Sequence, residues 1–166
     1  IADLPEYMPE AEFKRRFDLV GRSPLIDTTL AQGQGLQSAL DETDPGEYLV
    51  EVGMLHSEPR IADALARLVA AGVERVIAIV LTPQYSPLIM GGYNRAVDAT
   101  VAEQAITVPV QVAGAWHDVP GWIDSLAERV RETIEQVGPL PVVFTAHSLP
   151  KPVVERDPGY LHQIHA

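Results

Sequence analysis

The sequence lacks cysteine altogether and is poor in positive charge. Without a cysteine among 166 residues, disulfides, thiolate nucleophiles and cysteine-held zinc or iron–sulfur sites are excluded within this stretch. The sequence contains 12 Lys and Arg residues and 23 Asp and Glu residues, which gives a formal net charge of −11. Such a surface argues against nonspecific binding to nucleic acid or to an anionic membrane, although a local basic pocket stays compatible with it.

Long apolar runs and familiar nucleotide-binding motifs are also missing. No apolar segment approaches the ~20 residues needed to cross a bilayer, and no signal peptide is recognisable. No GxGxxG motif follows a predicted strand, and neither a P-loop nor a GxSxG motif occurs. We therefore expect no membrane span, no bound nucleotide and no α/β-hydrolase nucleophile.

What is present is a globular composition with alternating helical and extended patterns. Hydrophobic residues make up 46% and charged residues 21% of the chain. The apolar spacing predicts helices over 8–19, 28–40, 59–71, 92–104 and 119–137, and strands over 48–55, 75–81, 108–115 and 141–146. The strand over 75–81 is continuously apolar, as is typical of a strand buried on both faces. Because strands that alternate with helices form β-α-β units, we predict an α/β fold with a parallel sheet flanked by helices.

Histidines follow several of the predicted strands, and ligands bind beyond the carboxyl ends of strands in such sheets. Three of the five histidines, His56, His117 and His147, lie at these positions. A neutral imidazole there can bind a metal or accept a proton near neutral pH. His147 directly follows a strand and is the first candidate, and His56 is the second. We interpret His117 as part of a helix start with Asp118 as N-cap, and a structural role stays open for each histidine.

Other features admit a functional and a structural interpretation. His162 and His165 have a helical spacing that can chelate a metal, but no HExxH pattern joins them, so we favour a surface role. Gly91-Gly92 before a predicted helix could bring backbone N–H groups near an anion or simply allow a tight turn. Tyr85 and Tyr93 could line a flat apolar ligand or belong to ordinary packing.

Five segments, taken together, resemble the ferrochelatase family in order and spacing over nearly the whole chain. In chain order they are RF at 16–17 with GRSPL at 21–25, GMLHSEPRIADA at 53–64, LTPQYS at 81–86 with YN at 93–94, TAHSLP at 145–150, and RDPGY at 156–160. They are similar to the family's R-Y…G-G-x-S-P-L stretch, its GxxxxxPxIxDAL segment, its P-x-Y/F-S loop, its histidine segment and the GDPY that follows. Any one of these matches is weak, whereas the set is specific.

The resemblance implies an enzyme that inserts ferrous iron into protoporphyrin IX or coproporphyrin III, slightly favouring the latter, in haem synthesis. The implied fold has two similar Rossmann-like domains with the porphyrin between them. Residues 1–118 would form the first domain without its opening strand, and residues 119–166 would form the linking helix and first strand of the second. Fe2+ would be the substrate metal and the porphyrin the small-molecule partner. A haem-acceptor protein is a further candidate partner, and a cytoplasmic location is expected.

The resemblance also assigns roles to particular residues. It implies that His147 is the metal-binding and proton-accepting histidine, and that His56 matches a second histidine near the cleft. The residues implied at the porphyrin edge are Arg16, Phe17, Ser23 and Tyr93. These residue types suit the chemistry, because two pyrrole protons must leave as the metal enters. An imidazole can hold and release Fe2+, and an arginine can pair bidentately with a propionate.

Several departures from the family pattern shape what we expect. The family's opening strand with its Y-G-T/S-P segment is absent, and its acidic partner of the histidine lies farther downstream than this sequence reaches. Phe17 stands where many members carry Tyr, and Gly21-Arg22 replaces a pair of glycines. We therefore expect these residues to be a fragment, or part of a longer protein, and to be inactive alone.

Two other functions stay open at this point. One is a cobalt or nickel chelatase of a sirohydrochlorin-type ring, which carries two metal histidines that His147 and His56 could mimic. The Ser-Leu-Pro sequence after His147 favours the haem branch. The other is a tetrapyrrole- or metal-binding module that has lost catalysis.

Overall fold

The computed structural model describes residues 10–21, 23–145, 149 and 151–165. By its internal contacts the chain divides into two compact units, Ile1–Val52 and Gly53–Ala166. No helix among the described residues combines the length and the apolar character that a bilayer crossing requires.

The first unit contains two helices, α1 over Glu10–Val20 and α2 over Leu25–Thr43. The helix predicted over 28–40 is confirmed and begins three residues earlier, directly after Pro24. It continues through Gly33, where the absent side chain is required: a Cβ built there would lie 2.6 Å from Val52 Cγ2. The helix thus packs closely on the extended segment that follows it.

A side-chain amide on α2 holds that extended segment. Gln37 Nε2 donates to the Tyr48 carbonyl at 3.0 Å, and the Val50 N–H donates to Gln37 Oε1 at 2.7 Å. One glutamine therefore satisfies two backbone groups that a neighbouring strand would otherwise satisfy.

The second unit holds the parallel strand pair and five helices among its described residues. Its elements are α3 over Ile61–Ala70, β1 over Val76–Ala78, α4 over Pro87–Glu103, β2 over Val110–Val112, α5 over Pro120–Val137, α6 over Lys151–Arg156 and α7 over Gly159–His165. β1 and β2 pair in parallel, with Val76 opposite Val110, and α4 connects them. This β-α-β unit confirms the α/β fold with a parallel sheet flanked by helices.

The core of this unit lies between α3 and β1. Leu65, Leu68 and Val76 are buried against one another, with partly buried apolar side chains around them. The Asp63 carboxylate accepts a hydrogen bond from the Arg60 N–H at 3.4 Å and so caps the start of α3. Gly72 follows the helix with φ +80°, as a glycine after a helix end commonly does.

The strand over 75–81 was expected to be buried on both faces, and this is wrong. Val76 and Val80 are buried, whereas Ile77, Ile79 and Leu81 are exposed. Side chains alternate across an extended backbone, so only the face toward the core is covered.

Two of the predicted strands, 48–55 and 141–146, are not formed as strands. Residues 48–52 carry no ladder, and the only pairing near them is an isolated bridge between Met54 and Arg60 within the described part of the chain. Residues 141–145 also lack a ladder, and Val143 and Phe144 are 81% and 77% exposed. A strand needs a neighbouring strand to satisfy its backbone, and no described strand pairs with either stretch. Residue 146 lies outside the described residues.

Two predicted helix starts are also corrected. α5 has Val119 as its N-cap and Pro120 in its first turn, with no side-chain cap from Asp118. α4 begins at Pro87, so Gly91-Gly92 lies inside the helix and offers no free N–H groups to an anion. Proline fits the first turn of a helix, which explains both shifts.

Candidate functional site

The loops that follow β1 and β2 are tied together by one tryptophan. The Trp116 indole Nε1–H donates to the Val80 carbonyl at 3.0 Å, and the Trp116 backbone N–H donates to the Pro83 carbonyl at 2.9 Å. The Trp116 ring meets Trp122 of α5 edge-on, with centroids 5.1 Å apart. These contacts fix the two carboxyl-end loops next to each other.

The loop after β1 is held on its other side by α7. The Tyr85 N–H donates to Gln163 Oε1 at 2.6 Å, and Gln163 Nε2 donates to the Tyr85 carbonyl at 3.1 Å. Ser86, the next residue, is fully buried and is the N-cap of α4. The loop with the P-x-Y-S pattern is therefore anchored although it contains no regular secondary structure.

A cleft of about 360 Å³ opens between α4 and β2. Its lining consists of Tyr85, Met90, Asn94, Asp98 and residues 110–114. Asn94 Oδ1 is buried without a hydrogen-bond partner among the described residues. Tyr85 lines this cleft, whereas Tyr93 does not.

His56 is an exposed residue of a partly buried loop that packs on α4. A Cβ built on Gly92 would lie 3.1 Å from Leu55 Cδ2, so the residue before His56 contacts the helix at the position before Tyr93. Tyr93 is half-buried and His56 is exposed. The structure thus brings the segments that carry these two predicted site residues together.

The predicted porphyrin-edge residues Arg16, Phe17 and Ser23 belong to the first unit. Arg16 and Phe17 are exposed on α1. Arg16 Nε donates to Glu12 Oε1 at 2.9 Å. Ser23 is exposed, and its Oγ accepts a hydrogen bond from the Leu25 N–H at 3.3 Å, at the start of α2.

Glu12 is shared by two arginines of α1. Arg15 donates to both carboxylate oxygens of Glu12, at 2.7 and 2.8 Å, in addition to the bond from Arg16. These hydrogen bonds, first from Arg15 and then from Arg16, hold the pKa of Glu12 below its ordinary value. The same contact raises the pKa of Arg15. An arginine predicted to bind a substrate carboxylate therefore already has a protein carboxylate beside it.

The strongest sequence candidate, His147, lies outside the described residues, so its role as metal ligand and base stays a prediction. In the described stretches, no group of three or more histidines and carboxylates is placed to hold a metal ion. His162 and His165 are exposed on α7. His117, predicted to belong to a helix start, has a buried Nδ1 with no partner in the described part of the chain.

Comparison with known proteins identifies the family. The sequence model of the family described as Ferrochelatase matches residues 8–166. The chain belongs to the ferrochelatase family. The match includes every predicted site residue, among them the His147 segment.

Individual ferrochelatase relatives are similar over most of this chain. The chain is 35% identical over 162 residues to a coproporphyrin III ferrochelatase of Listeria innocua, covering 93% of the chain and 52% of the relative. It is 35% identical over 144 residues to a ferrochelatase of Aquifex aeolicus, covering 86% of the chain and 45% of the relative. It is 37% identical over 165 residues to a ferrochelatase of Acidobacterium capsulatum, covering 89% and 48%. The chain thus spans about half the length of the ferrochelatases it matches.

Two residues that organise the site were missed by the sequence analysis. Nothing in the helical spacing around Gln163 marks it as a partner of a loop 78 residues away. For Trp116, the sequence could have indicated that the indole N–H has a hydrogen-bond acceptor, because a partly buried indole usually finds one. It could not have shown which group is that acceptor.

Proposed function

We propose that the protein carrying this chain inserts ferrous iron into a porphyrin. The observation that carries the proposal is the ferrochelatase family match, which extends over residues 8–166 and so includes both the P-x-Y-S loop and the His147 segment. The names of the relatives agree with it, one being a coproporphyrin III ferrochelatase and others ferrochelatases. Ferrous iron is the substrate metal in this proposal.

His147 is proposed as the group that binds the metal and accepts protons. Two pyrrole N–H protons must leave the ring for one divalent ion to enter, which requires a base on one face of the macrocycle. An imidazole nitrogen can also deliver Fe2+ because it is a borderline ligand that binds without holding the ion irreversibly. His56 is proposed as a second histidine close to the substrate, on a loop that α4 supports through Leu55.

The porphyrin edge is proposed to contact Arg16, Phe17, Ser23 and Tyr93. Arg16 suits a propionate because a guanidinium can donate two parallel hydrogen bonds to a carboxylate. A substrate propionate would compete with Glu12, which now accepts from Arg16 at 2.9 Å. Coproporphyrin III carries more propionates than protoporphyrin IX and gains more from such contacts, which makes it the first substrate to test.

The domain arrangement is part of the same proposal. Residues 1–118 are assigned to a first domain, and residues 119–166 to the linking helix and the segment predicted as the first strand of a second. The exposure of Val143 and Phe144, at 81% and 77%, supports this assignment, because such apolar side chains are normally covered by further elements. The chain spans about half the length of its relatives, which are long enough to contain such further elements. A haem-acceptor protein would then take up the product.

The decisive experiment measures metal insertion by the protein expressed from its complete reading frame. Coproporphyrin III and protoporphyrin IX are incubated separately with Fe2+ without oxygen, and the change in the porphyrin absorption band is followed. We expect insertion with at least one porphyrin and, since a positioned base contributes about 10²–10⁴-fold, a loss of that order in His147→Ala with porphyrin binding retained.

Other outcomes would favour the alternatives. Insertion of Co2+ or Ni2+ into a sirohydrochlorin-type ring, without activity on porphyrins, would indicate the related chelatase. Porphyrin binding without insertion of any metal would indicate a binding module. Unchanged insertion by His147→Ala would contradict the role given to His147.

A further inference from the structure

One glutamine side chain on α7 holds both backbone polar groups of a residue in the loop after β1. The Tyr85 N–H reaches Gln163 Oε1 at 2.6 Å, and Gln163 Nε2 reaches the Tyr85 carbonyl at 3.1 Å. A neighbouring strand would satisfy a donor and an acceptor on an extended residue in a similar way. Here a side chain does so across 78 residues of sequence.

The clamped residue stands at the wall of the cleft. Tyr85 is 38% exposed and lines the cleft with Met90 and Asn94. The residue after it, Ser86, is fully buried, and Pro83 before it accepts a hydrogen bond from the Trp116 N–H at 2.9 Å. Gln163 therefore restrains the one part of this loop that carries an exposed aromatic ring.

A second amide clamp among the described residues offers a comparison. Gln37 holds the Tyr48 carbonyl and the Val50 N–H with the same pair of bonds, at 3.0 and 2.7 Å. That clamp holds an extended segment of the first unit on which no predicted site residue lies. Each glutamine thus holds one backbone donor and one backbone acceptor, in different surroundings, and Gln37 Nε2 also donates to Asp41 Oδ1 at 3.1 Å.

We propose that Gln163 is a positioning residue for the porphyrin, acting through the backbone of Tyr85 to present that ring to the substrate. The inference rests on the proposed function and adds a residue to it. An aromatic ring can pack on a flat macrocycle only if its backbone is held in place, since a small displacement of a positioned group weakens its contact strongly. This positioning role differs from a contribution of Gln163 to the stability of the fold, because only the positioning role depends on the Tyr85 ring.

The test measures porphyrin binding by fluorescence quenching in the protein expressed from its complete reading frame. Gln163→Met removes both hydrogen bonds at nearly constant volume, and we expect the porphyrin Kd to rise about tenfold because the Tyr85 ring is no longer held in position. Gln37→Met removes the matched pair elsewhere and should leave the Kd within about twofold of the unsubstituted value. In a Tyr85→Ala background, Gln163→Met should no longer change the Kd, because the ring that it positions is absent.

The outcomes separate this inference from the proposed function. If the unsubstituted protein binds no porphyrin, the proposed function fails. If it binds and Gln163→Met binds equally well, or if Gln163→Met weakens binding as much without the Tyr85 ring, the positioning role is overturned. Equal weakening by Gln37→Met would also overturn it. Should Gln163→Met not fold, Gln163→Glu keeps the acceptor for the Tyr85 N–H and loses the donor, and the same comparison with Tyr85→Ala decides.

Discussion

The indole of Trp116 and the carbonyl of Val80 form a 3.0 Å hydrogen bond that joins the ends of the two parallel strands. Val80 is itself buried at the end of the predicted strand 75–81, beyond β1, while Trp116 follows β2. The backbone hydrogen bonds between β1 and β2 end where these short strands end. Beyond that point, the bond between Trp116 and Val80 holds the two segments together. The loops that the proposed function needs are thereby held by a side chain.

Replacing Trp116 with phenylalanine should destabilise the protein. The variant keeps an aromatic ring but leaves the partly buried Val80 carbonyl without its donor, and we expect the free energy of unfolding to fall by about 1–3 kcal/mol. Urea unfolding followed by circular dichroism measures the change. Trp122→Phe is the matched control, since it preserves ring packing without removing this bond. An equal loss in both variants would contradict the importance of the hydrogen bond.

Two glycines of α2 should respond to alanine in opposite directions. Nothing lies within 4 Å of a Cβ at Gly35, so Gly35→Ala should raise the free energy of unfolding by about 0.5–1 kcal/mol through helix propensity. A Cβ at Gly33 would lie 2.6 Å from Val52 Cγ2, so Gly33→Ala should lower it by about 1–3 kcal/mol through overpacking. Thermal and urea unfolding of both variants test the pair. Stabilisation by Gly33→Ala would show that Val52 can move away at little cost.

The parts of the fold that sequence reasoning predicted correctly are those governed by local periodicity. The helix around Leu65 and Leu68 has a strong amphipathic pattern, and its apolar face is the one that is buried. The β-α-β unit follows from such patterns alternating with short apolar runs. The parallel direction of the strand pair could therefore be predicted, although the register of Val76 opposite Val110 could not.

The parts that were not predictable depend on partners distant in sequence. Val143 and Phe144 have the composition of a strand, but no described strand lies beside them. A strand pattern in the sequence indicates a tendency to form a strand, but it does not show whether a neighbouring strand is present to pair with it. Likewise, the clamp between Gln163 and Tyr85 depends on where α7 lies, which no local spacing encodes. The candidate site was predicted as residue types near strand ends, while the contacts that hold its loops were not.

The pKa of Glu12 should be below its ordinary value and should rise when its arginines are removed. Arg15 makes the larger contribution and Arg16 the smaller, so the pKa should rise more in Arg15→Met than in Arg16→Met. Carboxyl carbon NMR shifts across a pH titration measure both. Because the folded pKa is lowered, the contribution of these ion pairs is present above the unfolded pKa and is lost as the pH falls through the folded value.

Solvent screens this exposed ion-pair cluster, so its effect on stability should be small and should decrease with salt. Lys14→Met removes a charge from the same helix without removing a partner of Glu12 and serves as the control. An unchanged Glu12 pKa in Arg15→Met would contradict the arrangement of hydrogen bonds on α1.

Porphyrin binding should respond in opposite directions to the loss of Arg16 and the loss of Glu12. Arg16→Met removes the proposed propionate partner, and because hydrogen bonds to charged groups are worth about 1.5–3 kcal/mol, we expect the coproporphyrin III Kd to rise by about 10- to 100-fold. Glu12→Gln removes the carboxylate that now accepts from Arg16 at 2.9 Å. Since exposed ion pairs contribute only up to about 1 kcal/mol, this variant should lower the Kd by no more than about fivefold.

Fluorescence titrations at two salt concentrations test this competition, with Lys14→Met as a control that changes the charge of α1 by the same amount as Arg16→Met. Both effects should shrink at high salt, because the groups involved are exposed and added ions screen them. Equal weakening by Lys14→Met and Arg16→Met would mean that only the overall charge of α1 matters. Tighter binding by Glu12→Gln but not by Glu10→Gln, which removes the same negative charge from α1, would instead identify Glu12 as the group that a propionate must displace from Arg16.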